Sequence, residues 1–286
     1  MKIIRLIRKS QFDSEIMRAN RSNVSDYFIR FRLHLIRRGT RGGKRPFFYD
    51  EGEKWNIEEW GNEEWSQFER RVKTSIERIF NSNRLYLQVP HRLVNDFQSQ
   101  ETYHESTHPA LKCKLQIILE RSRDNAHGEL MCVKNPTDGS GALSFRSFAL
   151  RNKYHSRGVI TNLDVETERI EEGGHVTRQC VVAHEFAHML GVGHPGGAFS
   201  NEDWAYGRPG TAAWRSLSGA GNTVGPRELK AWRDRIVAHT HVRFGWRYIT
   251  TRDRIDSFLR PSGVGRSTTH GLAHPRAASR MRPIIP

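Results

Sequence analysis

A chain of 286 residues is long enough for one large domain or two modest ones with an ample core. With 36% hydrophobic, 10% aromatic and 27% charged residues it has the composition of a soluble globular protein, which excludes wholesale disorder. No run approaches 18 apolar residues, so a helical membrane span is excluded, and the net charge of +15 is concentrated at the two ends. Residues 1–45 carry 13 Lys and Arg against 3 Asp and Glu, and residues 251–286 carry 7 against 2, which leaves the middle balanced.

In chain order, the opening segment, residues 1–9, has its apolar run broken by Arg5 and Arg8, and no small-residue cleavage site follows. It does not read as a secretory signal, so the chain is expected to stay where it is made or to leave by a route without a cleaved leader. Residues 1–26 are expected to form a basic arm. Ile29, Phe31, Leu33 and Leu35 then alternate with Arg30, Arg32 and His34, which predicts a half-buried strand. Gly39–Lys44 reads as a loop.

Trp65, Phe68, Val72, Ile76, Ile79 and Phe80 recur at three- and four-residue spacing and predict a long helix over 59–80, with Glu69 and Lys73 paired on another face. Strands are expected at about 84–89, 112–121, 129–134, 143–150 and 157–166, and a second helix from about Thr177, as its cap, to Leu190. Residues 195–225 read as a long ordered loop. A third helix is expected over 226–239, opened by Pro226, with Leu229, Trp232, Ile236 and Val237 on its buried side. From about Pro261 the chain lacks periodicity and is expected to be a disordered basic tail. The fold class is therefore α+β around one mixed sheet. Cys113, Cys132 and Cys180 form no disulfide framework; reduced buried thiols are expected, with a Cys113–Cys132 bridge as the alternative.

The chemistry lies at His184-Glu185-Phe186-Ala187-His188-Met189-Leu190-Gly191-Val192-Gly193-His194. On a helix, positions i and i+4 share a face, so His184 and His188 can reach one metal ion. Glu185 lies about 100° around the helix, beside the metal, where a carboxylate can take a proton from a metal-bound water. Gly191 lets the chain leave the helix with positive φ, and His194 closes the site. Three neutral imidazoles with a fourth position for water are the arrangement of a catalytic Zn2+ site, equipped for amide hydrolysis.

These residues resemble the long zinc-binding signature of the metzincin metallopeptidases. The resemblance implies a twisted mixed sheet with a long helix and an active-site helix, here within residues 27–194. It also implies a smaller C-terminal subdomain with one helix, here 195–260, ahead of the tail at 261–286. By the same resemblance His184, His188 and His194 are the zinc ligands and Glu185 the general base. Metzincins carry a methionine in a tight turn beneath the metal. The matching segment here is Ser216–Gly221, with Ser218 at the methionine's position. Tyr206, in the loop after the site, is a residue that can stabilise an oxyanion, although a packing role is the stronger expectation.

The expected function is a zinc-dependent endopeptidase acting on protein or peptide. The leaderless, basic chain suggests an exported toxin or effector, with an inhibitor or immunity protein among its partners. One alternative is a zinc amidase on cell-wall peptides, with the basic ends holding an anionic wall polymer. The other is a non-catalytic zinc-containing binding protein whose basic ends contact nucleic acid or an acidic protein.

Overall fold

The computed structural model describes residues 6–9, 11–17, 24–39, 47–50, 53–82, 85–97, 109–136, 148–150, 156–197 and 203–250. The tail from 261, most of the loop at 39–44 and the first part of the strand expected at 143–150 lie outside these residues. The elements in order are β1 (Leu6–Ile7), β2 (Asp13–Met17), β3 (Val24–Arg37), β4 (Phe47–Asp50), β5 (Glu53–Asn56), α1 (Asn62–Asn81), β6 (Leu85–Gln88), α2 (Val94–Phe97), β7 (Ala110–Glu120) and β8 (Gly128–Val133). There follow β9 (Phe148–Leu150), β10 (Ser156–Thr161), β11 (Thr167–Glu172), β12 (His175–Cys180), α3 (Val181–Met189), α4 (Lys230–Thr240) and β13 (Arg247–Thr250). No described helix is long and apolar enough to cross a membrane.

The architecture is mixed α+β. One nine-stranded sheet runs β13-β6-β7-β3-β8-β10-β9, with β2 paired to β3 and β1 to β2. The centre is parallel (β3 with β7 and β8, β8 with β10), and β9 closes one side antiparallel to β10. β3 is the spine. Ser25, Tyr27, Ile29, Phe31, Leu33 and Leu35 are all buried on one face. The other face is not simply wet: Arg30 pairs with Glu15, Arg32 with Asp13 at 2.7 Å, and His34 bonds the Glu120 carbonyl. Those partners come from β2 and β7, so the alternation records a strand in the middle of a sheet. Much of the segment read as a basic arm is therefore sheet, and Phe12, Asp13, Ser14 and Ile16 are buried.

α1 buries Trp65, Phe68, Val72, Ser75, Ile76, Ile79 and Phe80, and Glu64 caps its start by accepting from the Gly61 N–H. Burial of each large apolar side chain stabilises by about 1.5–3 kcal/mol, several times what an exposed ion pair contributes. The polar face has a structural task of its own. β6 pairs with β7 only at Ala110–Lys112, and beyond that point α1 side chains take over the open edge. Asn81 both donates to and accepts from Leu115, Glu77 accepts from the Ile117 N–H, and Lys73 donates to the Ile117 carbonyl. Residues 73, 77 and 81 thus stand in for a strand, satisfying backbone groups that a bare edge would present. Lys73 pairs with Glu77, not with Glu69 as its spacing suggested; Glu69 faces Arg121.

One further expectation is corrected, and the expected reduced, buried thiols are found. The motif helix begins at Val181, not near Thr177, because Thr177 lies in β12 opposite Ile170, in a β11–β12 hairpin turned by Gly173 and Gly174. Cys113 and Cys132 lie on strands flanking opposite sides of β3, so no bridge joins them, and all three cysteines are free and buried. Leu217, Leu229, Trp232 and Ile236 belong to the same core as the sheet, and Trp232 Nε1 donates to the Tyr27 carbonyl while Tyr27 donates to the Trp232 carbonyl.

Gly128 marks where the sheet meets the motif helix. A Cβ there would lie 2.7 Å from Met189 Cε, 2.8 Å from the Ser156 carbonyl oxygen and 3.1 Å from Phe31 Cζ. Gly128→Ala is expected to cost about 1–3 kcal/mol through overpacking, measured by chemical denaturation. Stability within about 0.5 kcal/mol of the native chain would show that this contact is not close-packed.

Candidate metal centre

α3 is buried along its length, which its sequence dictates: Val182, Ala183, Phe186, Ala187 and Met189 leave it no wet face. Phe186 packs edge-on against Phe31 and Phe80, which fixes the helix between β3 and α1. Its start is tied by Val182 N–H to the Asp164 carbonyl and its end by Ser156 Oγ to the Met189 carbonyl. Gly191 takes φ +83°, and Val192 N–H reaches back to the Ala187 carbonyl while Gly191 N–H bonds that of His188. This helix ending turns the chain sharply and brings His194 back toward the helix.

The structure brings all three expected ligands together. His184 Nε2 and His188 Nε2 are 3.1 Å apart, His188 and His194 3.0 Å, and His194 and His184 3.3 Å. Each residue is at most 5% exposed. Among the described residues this is the one cluster of three metal-ligating side chains. The opposite ring nitrogens of the helix histidines are engaged: His184 Nδ1 donates to the Leu217 carbonyl at 2.6 Å, and His188 Nδ1 to that of Val192 at 2.7 Å. With the proton held at Nδ1, Nε2 presents its lone pair inward.

Burial pushes the His184 pKa down to about 3, helped by neighbouring His188, and pushes that of His188 down to about 4. Both are therefore neutral near pH 7, and acceptor lone pairs face one another with no proton between them. A cation is what such a donor set accommodates. Tetrahedral zinc with bonds near 2.0–2.1 Å sets its nitrogens about 3.3 Å apart, close to the separations seen. The residues present fit a zinc ion, held by His184, His188 and His194.

The other expected residues take up varied positions. Glu185 follows His184 on the helix and is 6% exposed. Tyr206 sets its ring 4.3 Å from that of His194 and 5.9 Å from that of His184, so it packs against two of the three imidazoles. The Ser216–Gly221 turn lies beneath the triad through the Leu217 carbonyl, and Ser218 is fully buried there.

Three supporting residues carry no signal in their spacing. Gln179 Nε2 lies 3.0 Å from His184 Nδ1 and donates to the Gly219 carbonyl. Arg227 Nη1 donates to the His194 carbonyl, and Glu228 accepts from Ser218 Oγ. No protein-family model, no curated protein and no solved structure matches the chain.

Folded pKa values below the ordinary imidazole value of about 6.5 have a definite consequence. Between those limits the unfolded chain binds more protons, so the metal-free fold loses stability as pH falls from about 6.5 toward 3. Chemical denaturation of the metal-free chain at pH 7, 5.5 and 4 should show stability falling along the series. Stability that does not fall between pH 7 and 4 would show that the imidazoles are not desolvated.

Proposed function

We propose that the chain is a zinc-dependent endopeptidase of the metzincin type, with His184, His188 and His194 as ligands and Glu185 as the catalytic base. The observation that carries the reading is the convergence of three buried imidazole nitrogens within 3.3 Å, two of them from a helix whose next residue after the first ligand is a buried glutamate and the third from the turn that follows it. Zinc bound there supplies Lewis acidity toward a water and a substrate carbonyl. The Glu185 carboxylate takes the proton of the attacking water and returns it to the leaving amide nitrogen. The Leu217 and Val192 carbonyls keep His184 and His188 in the tautomer that leaves Nε2 unprotonated.

The sheet supports a peptide substrate. β9 is antiparallel to β10 and lies against α3, and among the described residues no strand pairs with its outer edge. An extended peptide adding to that edge would use the backbone pairing that open strands offer and would run beside the metal helix.

The test compares the native chain with Glu185→Gln for zinc content and for cleavage of an unfolded protein. About one zinc per chain is expected in both, with the variant's turnover lower by about 10²–10⁴-fold. A native chain that takes up no zinc, or a variant that cleaves at the native rate, would overturn the proposal.

A further inference from the structure

The turn beneath His184 can be read one amide at a time. Leu217 N–H bonds the Thr223 carbonyl, Gly219 and Gly221 N–H both bond that of Ser216, and Ala220 N–H bonds that of Trp214. Gly219 N–H also reaches Ser216 Oγ, and Ser218 N–H takes Glu228 Oε1 as its acceptor, at 3.3 Å. The same oxygen accepts from Ser218 Oγ at 2.6 Å, and Glu228 Oε2 accepts from Gly225 N–H at 2.8 Å. Both Ser218 and Glu228 are 0% exposed. A carboxylate buried to that degree is costly unless its oxygens find donors, and here three donors reach it. The neighbour of Glu228, Arg227, donates to the His194 carbonyl at 3.2 Å.

Two consecutive residues just ahead of α4 therefore hold both sides of the triad. Arg227 holds the main chain of the third histidine. Glu228 holds the turn whose Leu217 carbonyl orients the first. α4 is itself fixed to the spine of the sheet by Trp232, whose indole N–H donates to the Tyr27 carbonyl.

We propose that Arg227 and Glu228 are positioning residues for the metal triad, with Glu228 acting through Ser218 and the Leu217 carbonyl on the orientation of His184. The inference rests on the metal reading above and adds to it a device built from polar contacts where the resembled family has a methionine. Ser218 and Glu228 form one link, so removing either end should loosen the same ligand.

The experiment is zinc affinity by chelator competition, with the absorption spectrum of the cobalt-substituted protein as a report on ligand geometry, for native, Ser218→Ala, Glu228→Gln and the double variant. Far-UV circular dichroism checks that each folds. Loss of an outer partner of a metal ligand weakens binding by about 10–100-fold, so about tenfold is expected at this remove for Glu228→Gln, and less for Ser218→Ala. The cobalt bands should shift in both. The double variant should be no weaker than Glu228→Gln alone, since contacts in one chain do not add. If Glu228→Gln does not fold, Ser218→Ala, which removes one hydroxyl, decides alone. Native zinc affinity and an unshifted cobalt spectrum in the folded variants, or losses that simply add, would overturn the inference and leave the metal reading standing. A native chain that binds no zinc would remove both.

Discussion

Three buried imidazole nitrogens pointing at one another from 3.0–3.3 Å form the arrangement on which the rest of the structure depends. Left to themselves, such lone pairs would rotate apart or take up protons. Both routes are opposed at the two helix histidines. Rotation is opposed at His184 and His188 by hydrogen bonds from Nδ1 to main-chain carbonyls, which belong to the turn below and the helix ending above. Protonation is opposed by burial, which holds both groups far below the usual imidazole range. Donors set together in this way form a cluster that could hold a metal ion, with the orientation of His184 and His188 fixed by the fold itself.

The support of this cluster is distributed over distant parts of the chain. α3 is set by Phe186 between Phe31 and Phe80, and its end by Met189 lying over Gly128 with no room for a further carbon. The helix opposite, α1, must then hold its own place, and it does so by more than apolar contact. Its row of Lys73, Glu77 and Asn81 finishes the edge of β7 where β6 stops, tying helix register to strand register. A shift of α1 along its axis would leave backbone groups of Leu115 and Ile117 without partners, each costing on the order of 1–3 kcal/mol if buried. Polar side chains on a packed helix thus restrict its sliding, which apolar burial alone resists weakly because it is not directional.

How much of this was legible in the sequence follows from what kind of interaction specifies each part. The spine strand and α1 were readable because each repeats a simple period on its own residues: Ile29 to Leu35 by twos, Trp65 to Phe80 by threes and fours. The triad was readable because a helix and one glycine turn place its ligands within eleven residues. The β11–β12 hairpin was missed although Gly173-Gly174 lies between Arg169-Ile170 and Val176-Thr177. Its strands are mostly exposed, so no alternation marks them. Lys73 has acids four residues away on both sides, Glu69 and Glu77, and its choice of Glu77 goes with a bond to the Ile117 carbonyl, 44 residues away, that local spacing does not encode. Arg227 and Glu228 left no trace, since what they hold, a carbonyl at His194 and a hydroxyl at Ser218, is defined only once the fold has formed.

Ser218 is the place where sequence and structure bear most directly on each other. A serine where the resembled family has a methionine reads, in the sequence alone, as the loss of a packing floor. In the fold it is one half of a buried polar contact whose other half is Glu228, whose carboxylate accepts from Ser218 N–H, Ser218 Oγ and Gly225 N–H. The two solutions differ physically. An apolar floor supports the imidazole above it through dispersion, which tolerates small displacements. A hydroxyl held at 2.6 Å by a carboxylate is directional, and it transmits any movement of α4 to the Leu217 carbonyl and so to His184. Ser218 and Glu228 therefore tie the turn beneath His184 to the segment just ahead of α4.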